Sequence, residues 1–263
     1  MAEGERKGVG GPKPRSLLEA MRAAAWVREL MHKTGATPTG LRDCVMPAES
    51  TSGARFDRYL RGIKVPSPEI REEVYRDPKL AYTRQVYDFG PSEDGVCVPL
   101  WMLFEDRHDE FWPVIESVIG EGTDRAEAVD KLASLFMPAN QWREIRDKNL
   151  RLYDAGSLIL STLNAEGATP KLRTLAAVFA LWRLCLRDGR DVAPMEYLLH
   201  ALLAGPYRGV LDALSIYEPF CLYVHAFAVE HYMQRGQLDT AMSAFAGLLP
   251  ENKPGNVRAK PAA

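Results

Sequence analysis

Ser50-Thr51-Ser52-Gly53-Ala54-Arg55-Phe56-Asp57-Arg58-Tyr59-Leu60-Arg61-Gly62-Ile63-Lys64-Val65-Pro66-Ser67-Pro68 is the most informative stretch of this 263-residue chain. Ser50, Thr51 or Ser52 can cap a helix, because a short side-chain oxygen accepts from the first unpaired amides. Gly62 supplies the stop. Ser67 then caps a second helix with Pro68 at its first position, where a missing N–H does no harm. If the first helix starts near Gly53, Phe56 and Leu60 share one face with Tyr59 flanking. Arg55, Arg58 and Arg61 then fall on the opposite side at ~100° per residue. Ile70 and Val74, with Tyr75 beside them, form the buried stripe of the second helix, and Asp77-Pro78 closes it.

The same grammar extends outward. Ser16 caps a helix through about His32, with Leu17, Met21, Ala24 or Ala25, and Leu30 or Met31 on one side, and Gly35 ends it. Leu41–Met46 reads as one more helical turn before Pro47. Residues 77–98 read as a linker, since they hold Asp77-Pro78 and the turn-formers of Phe89–Gly95. Val96-Cys97-Val98 is the one β-like run and is too short to found a sheet. From Pro99 onward helices follow one another. Thr123 caps one, Gln141–Tyr153 and Ser157–Leu163 follow, and Thr169-Pro170 starts a helix through Leu186. Pro194 opens another to Ala204, Tyr207–Ile216 is next, Glu218-Pro219 starts one to about Arg235, and Gln237–Leu249 is the last. Strand-length alternation is nearly absent, so the expected class is all-α. The expected organisation is a disordered leader (1–15), a helix-turn-helix-like module (16–76), a linker (77–98), a larger helical domain (99–249) and a disordered tail (250–263).

Hydrophobic content of 46% and charged content of 26% are ordinary for a globular protein. No apolar run reaches the ~18 residues of a membrane span, and the leader has no signal-peptide core, so a cytoplasmic protein without a membrane partner is expected. Cys44, Cys97, Cys185 and Cys221 are scattered, which fits buried free thiols in a reducing compartment better than disulfides or a zinc site. Net charge is −2 but uneven: residues 1–90 carry 16 Lys/Arg against 12 Asp/Glu, and the remainder carries 17 against 23. The N-terminal third is thus the only net-basic part.

Tyr59-Leu60-Arg61-Gly62-x-x-x-Pro66, followed by an amphipathic helix, resembles the end of the recognition helix and the next helix of lambda-repressor-like (Cro/C1-type) helix-turn-helix domains. The resemblance covers roughly 50–74 and weakens upstream, where Pro47 interrupts the preceding helix. It implies that Tyr59 holds the aromatic position, Gly62 the turn and Pro66 the start of the following helix, with DNA-facing residues within Thr51–Arg58. On charge and placement, Thr51, Ser52, Arg55, Arg58, Arg61 and Lys64 are the candidate nucleic-acid contacts. The alternative for the same residues is a solvated basic face. A second stretch, Tyr232-x3-Gly236-x4-Ala241-x3-Phe245, resembles the middle of one tetratricopeptide repeat; no second copy follows at a 34-residue period.

No catalytic constellation forms. There is no GxxxxGK[ST], GxSxG, HExxH or GxGxxG. His225 and His231 stand roughly 240° apart on one helix and cannot share an ion. Glu105–Glu110 reads as a solvated helix start, and His200 as a satisfied core or boundary histidine rather than a base. No enzyme, cofactor or metal is expected. Two readings remain open: a DNA-binding regulatory protein with a helical dimerisation or effector domain and double-stranded DNA as partner, or a non-enzymatic helical adaptor with a structural module and a protein partner on the C-terminal domain. The second predicts an exposed apolar or aromatic groove in the C-terminal domain, drawing on residues such as Tyr217, Tyr223 or Tyr232.

Overall fold

A computed structural model describes residues 16–45, 54–148, 170–243 and 245–249. The leader, the caps expected at Ser50–Ser52, the helix expected at Ser157–Leu163 and the tail lie outside these ranges. The described chain is mostly helical with one two-stranded ladder, so the all-α class holds.

Helix α1 (Leu17–Thr34) is shared by the two hydrophobic cores of the described chain. Ser16 Oγ accepts from the Glu19 amide at 3.1 Å, and the Gly35 amide closes the far end on the Met31 carbonyl. The helix buries two faces rather than the single stripe expected. Ala23, Trp26, Val27 and Leu30 enter one core, whereas Met21, Ala24 and Ala25 enter another. At ~100° per residue these sets are nearly opposite. Leu17, expected on the stripe, is 39% exposed.

The first core belongs to α2 (Leu41–Val45), α3 (Ala54–Leu60), α4 (Pro68–Tyr75) and α5 (Thr83–Asp88). Trp26 is its centre. Its ring lies 6.3 Å from Phe56, 6.3 Å from Tyr75 and 6.2 Å from Tyr87, and its indole N–H donates to Thr83 Oγ1 at 3.2 Å. Leu41, Val74 and Leu80 complete the core.

Residues 77–98, expected as a linker, are built into the packing. They carry α5 and a hairpin, β1 (Ser92–Glu93) and β2 (Val96–Cys97), paired antiparallel around the Asp94-Gly95 turn. Trp101 clamps the segment, donating its indole N–H to the Val86 carbonyl at 2.8 Å and its amide to the Phe89 carbonyl at 3.0 Å. Gly90 allows the close return of the chain, since a Cβ there would sit 1.9 Å from the Val98 carbonyl oxygen.

The second core follows a 3₁₀ turn at Trp101–Phe104 and contains α6 (Phe111–Ile119), α7 (Arg125–Ser134), α8 (Ala139–Lys148), α9 (Leu172–Asp188), α10 (Val192–Ala204), α11 (Pro206–Ala213), α12 (Tyr217–Gln234) and α13 (Leu238–Ser243). Helix α9 runs through its middle with every residue from Leu175 to Leu186 buried. A helix apolar on all sides must be enclosed on all sides. Phe104, Phe179 and Phe220 form an aromatic cluster with centroids 5.1–5.3 Å apart.

The starts of α7 and α9 differ from expectation. Asp124, not Thr123, caps α7 by accepting from the Glu127 amide at 2.9 Å; Thr123 instead donates to the Gly120 carbonyl. Helix α9 begins at Leu172, and its cap comes from the hairpin. The Glu93 carboxylate accepts from the Leu172 and Arg173 amides and from Arg173 Nε at 2.9 Å. Burial would raise the Glu93 pKa, but these donors outweigh it and hold the carboxyl below its ordinary range.

Helix α1 also ties the two cores by polar contacts. Arg22 pairs with Glu105 at 2.9 Å, Arg28 Nε donates to Ser215 Oγ at 2.8 Å, and the Leu18 amide donates to the Tyr223 hydroxyl at 3.1 Å.

Candidate nucleic-acid interface

Helix α3 is seated by Phe56 and Tyr59, at 1% and 3% exposure. The expected buried pair was Phe56 with Leu60. Instead the helix is turned so that positions three apart enter the core around Trp26, and Leu60 is half-buried beside α1. The ring of Tyr59 meets Phe56 edge-on at 5.8 Å. The C-terminus closes tightly: the Ile63 and Lys64 amides donate to the Arg58 carbonyl at 2.9 and 3.1 Å, and the Gly62 amide to the Tyr59 carbonyl at 3.0 Å. Gly62 has φ +65°, and a Cβ there would lie 3.0 Å from Ala20 Cβ on α1. The turn therefore rests directly on α1. Pro66 is buried, and Pro68 opens α4 behind Ser67. The Ser67 hydroxyl bonds the Glu69 carboxylate, lowering its pKa, and caps no helix amide.

Seating α3 this way decides where each cation points. Arg58 and Arg61 lie on the solvent face, roughly 60° apart at ~100° per residue, and both are exposed. Arg61 is 66% exposed and is shared with Asp57, whose carboxylate lies 3.2 Å from its Nε. Lys64 is exposed just past the turn. Arg55 sits on the flank, half-buried and with a partner of its own. Thr51 and Ser52 lie outside the described residues. The expected basic face thus contracts to Arg58, Arg61 and Lys64.

This face is not isolated from the second core. Leu60, Arg61 and Gly62 line one wall of a cleft of about 580 Å³. Arg28 and Ala24 of α1 form its floor, with Asp212, Tyr217 and Glu218 opposite.

The three tyrosines named for the adaptor reading do not line one groove. The Tyr223 hydroxyl faces Leu18, Tyr232 is buried with its hydroxyl donating to Glu196 at 2.7 Å, and only Tyr217 borders the cleft just described. A different apolar cavity, about 570 Å³, lies between the hairpin and α6, lined by Val96, Val98, Met102, Pro113 and Val114. All four cysteines are free; Cys185 and Cys221 are buried as expected, whereas Cys44 is exposed and Cys97 half-buried. Among the described residues no cluster of His, Cys, Asp and Glu is placed to hold a metal ion, and no helix is long and apolar enough to cross a membrane.

Sequence reading missed the most deeply buried cation, Arg183, on α9. Its signal was an arginine inside Ala180-Leu181-Trp182-Arg183-Leu184-Cys185-Leu186. An arginine surrounded by apolar neighbours on every side of a helix has no solvated face to occupy. Compared with known proteins, the chain matches no family model, no curated protein and no solved structure.

Proposed function

We propose that this chain is a DNA-binding regulatory protein, with α3 presenting Arg58 and Arg61 to a duplex groove and the α6–α13 body serving dimerisation or effector sensing. One observation carries the reading. A short helix is held from behind by Phe56 on Trp26 and by Tyr59 packed on Phe56, is stopped by a glycine resting on α1, and turns two exposed arginines outward. A pre-seated helix loses little freedom on docking. Arginine forks suit both phosphate oxygens and the O6/N7 edge of guanine, a bidentate base contact being worth about 1–3 kcal/mol of discrimination. Lys64, beyond the turn, is placed as a phosphate contact.

The test is fluorescence anisotropy of the full chain with labelled duplexes, one from its own upstream region and one random, across a salt series. Binding should weaken with salt through counterion release. Arg58→Ala with Arg61→Ala should weaken it further and lower the slope of log K against log salt by up to about 1.8, at ~0.9 for each phosphate no longer neutralised. Absence of binding at low salt, or a double variant that binds as the parent does, refutes the proposal. The adaptor reading draws on the cavity beside the hairpin, where Val96 is 66% exposed. A partner retained after nuclease treatment and lost in Val96→Asp would favour it.

A further inference from the structure

Arg183 projects from the middle of α9 with only 4% of its side chain exposed. Its guanidinium carbon lies 3.7 Å from the centre of the Phe227 ring and 5.7 Å from that of Phe111, so aromatic faces cover it. One N–H group donates to the Leu103 carbonyl at 2.6 Å. The other contacts are longer: Asp106 Oδ1 at 3.3 Å and His108 Nε2 at 3.4 Å. These use fewer than the guanidinium's full set of donors. Its one carboxylate partner, Asp106, is 93% exposed and so neutralises it from the solvent side. Burial lowers the Arg183 pKa to about 10, with Asp106 and Glu230 opposing the shift. The group stays charged at neutral pH, and a buried charge needs a matched partner.

A small cavity of about 180 Å³ opens at this guanidinium between α9, α12 and the 105–110 turn. Arg187, His108, Phe227 and Gln234 line it together with the carboxylates of Asp106 and Glu230, and Arg187 is also paired with Asp188 at 2.8 Å. His231 forms a fixed wall, because its Nδ1 lies 2.9 Å from the Arg235 guanidinium. Burial depresses both histidines, and the neighbouring cations, Arg183 and Arg187 for His108 and Arg235 for His231, depress them further. The cavity is too small for a drug-sized ligand, which needs roughly 300 Å³ or more, but it accommodates a single charged group.

We infer that this cavity binds a small oxyanion, the phosphate or carboxylate group of a ligand, with the Arg183 guanidinium as its base and Arg187 and Gln234 at its mouth. A planar guanidinium backed by an aromatic face presents its remaining donors in one plane, the geometry that oxyanions accept. Asp106 holds the place that the ligand takes. Being almost wholly in water, it gives up little when displaced. Glu230 opposes binding, which yields a prediction that a purely structural Arg183 does not make. The site is independent of whether α3 binds DNA.

The experiment is isothermal titration calorimetry of the full chain with inorganic phosphate and, separately, with acetate, at ionic strength held constant with sodium chloride. Saturable binding of at least one is expected; phosphate alone assigns a phosphate group, and acetate assigns a carboxylate. Glu230→Gln should tighten binding about threefold, and Arg187→Gln should weaken it by a similar factor. Both positions are exposed, so neither substitution disturbs buried packing. Arg183→Gln, checked by circular dichroism, should weaken binding at least about tenfold. No saturable heat with either anion overturns the inference. So does parental affinity in both rim variants, a result that stands even if Arg183→Gln does not fold.

Discussion

Glu196 offers the sharpest test of the packing. It lies on α10 at 4% exposure, and one hydrogen bond reaches its carboxylate, from the Tyr232 hydroxyl at 2.7 Å. Burial pushes its pKa up to about 7, against the modest lowering by Tyr232. In the unfolded chain it titrates near its ordinary 4.5. Below that value the group is neutral in both states, and its contribution to stability is fully present. Between 4.5 and about 7 the unfolded chain ionises while the folded chain holds its proton, so stability falls as pH rises. Above about 7 the loss levels off. At about 1.4 kcal/mol per pH unit the full loss is roughly 3 kcal/mol. Glu196→Gln removes the ionisation but keeps the shape and an acceptor for Tyr232. Any fixed cost of the amide is the same at every pH, so the informative quantity is the difference between two pH values. Urea denaturation followed by tryptophan fluorescence at pH 4.5 and pH 8.5 should show the variant gaining roughly 2–3 kcal/mol on the parent between them. Equal differences at both pH values would refute the reasoning and mean that water or a rearranged donor solvates the carboxylate.

The other predictions are independent of Glu196. Gly62→Ala should cost about 1–2 kcal/mol from the left-handed backbone alone, with a further penalty from Ala20, read as a drop in thermal midpoint. Gly90→Ala should be far worse, because its Cβ meets the Val98 carbonyl rather than a movable side chain; little folded protein should be recovered by gel filtration. Glu93→Ala removes the cap of α9 and should cost about 1–2 kcal/mol. Because the Glu93 pKa is depressed on folding, that contribution is present above about pH 4.5 and fades as pH falls through the folded value, so parent and variant should converge in acid. Arg55→Ala should affect duplex binding less than Arg58→Ala, since Arg55 is half-buried on the flank of α3.

The helical class was legible because capping residues and glycine or proline stops recur along the chain, and those signals are local. What escaped was non-local. The 77–98 segment holds turn-formers that suit a linker equally well; long-range contacts such as the Glu93 bond to Leu172, 79 residues away, and the packing of Tyr87 on Trp26 distinguish the two. On α1, an alanine-rich sequence hides the second face, because Ala24 and Ala25 carry little hydrophobic signal although both are buried. On α3, Tyr59 and Leu60 were both credible core residues, and the position of Trp26 on another helix decided between them. Of the candidate contacts, Arg58, Arg61 and Lys64 are exposed in the structure and Arg55 is not wholly so. The cavity at Arg183 could not be seen from spacing, because its walls come from three separated segments.

Because α1 lends opposite faces to two cores, neither core has a complete interior without it. A cut after residue 76 would leave the N-terminal piece with Met21, Ala24 and Ala25 in water and would leave the remainder with the cavity that α1 had filled. Modules strung on a tether can melt one at a time and be exchanged between proteins; these two share their central wall. Whatever strains one core is therefore felt in the stability of the other. Heat or denaturant should take both apart in a single cooperative step, reported alike by Trp26 on one side and Trp182 on the other.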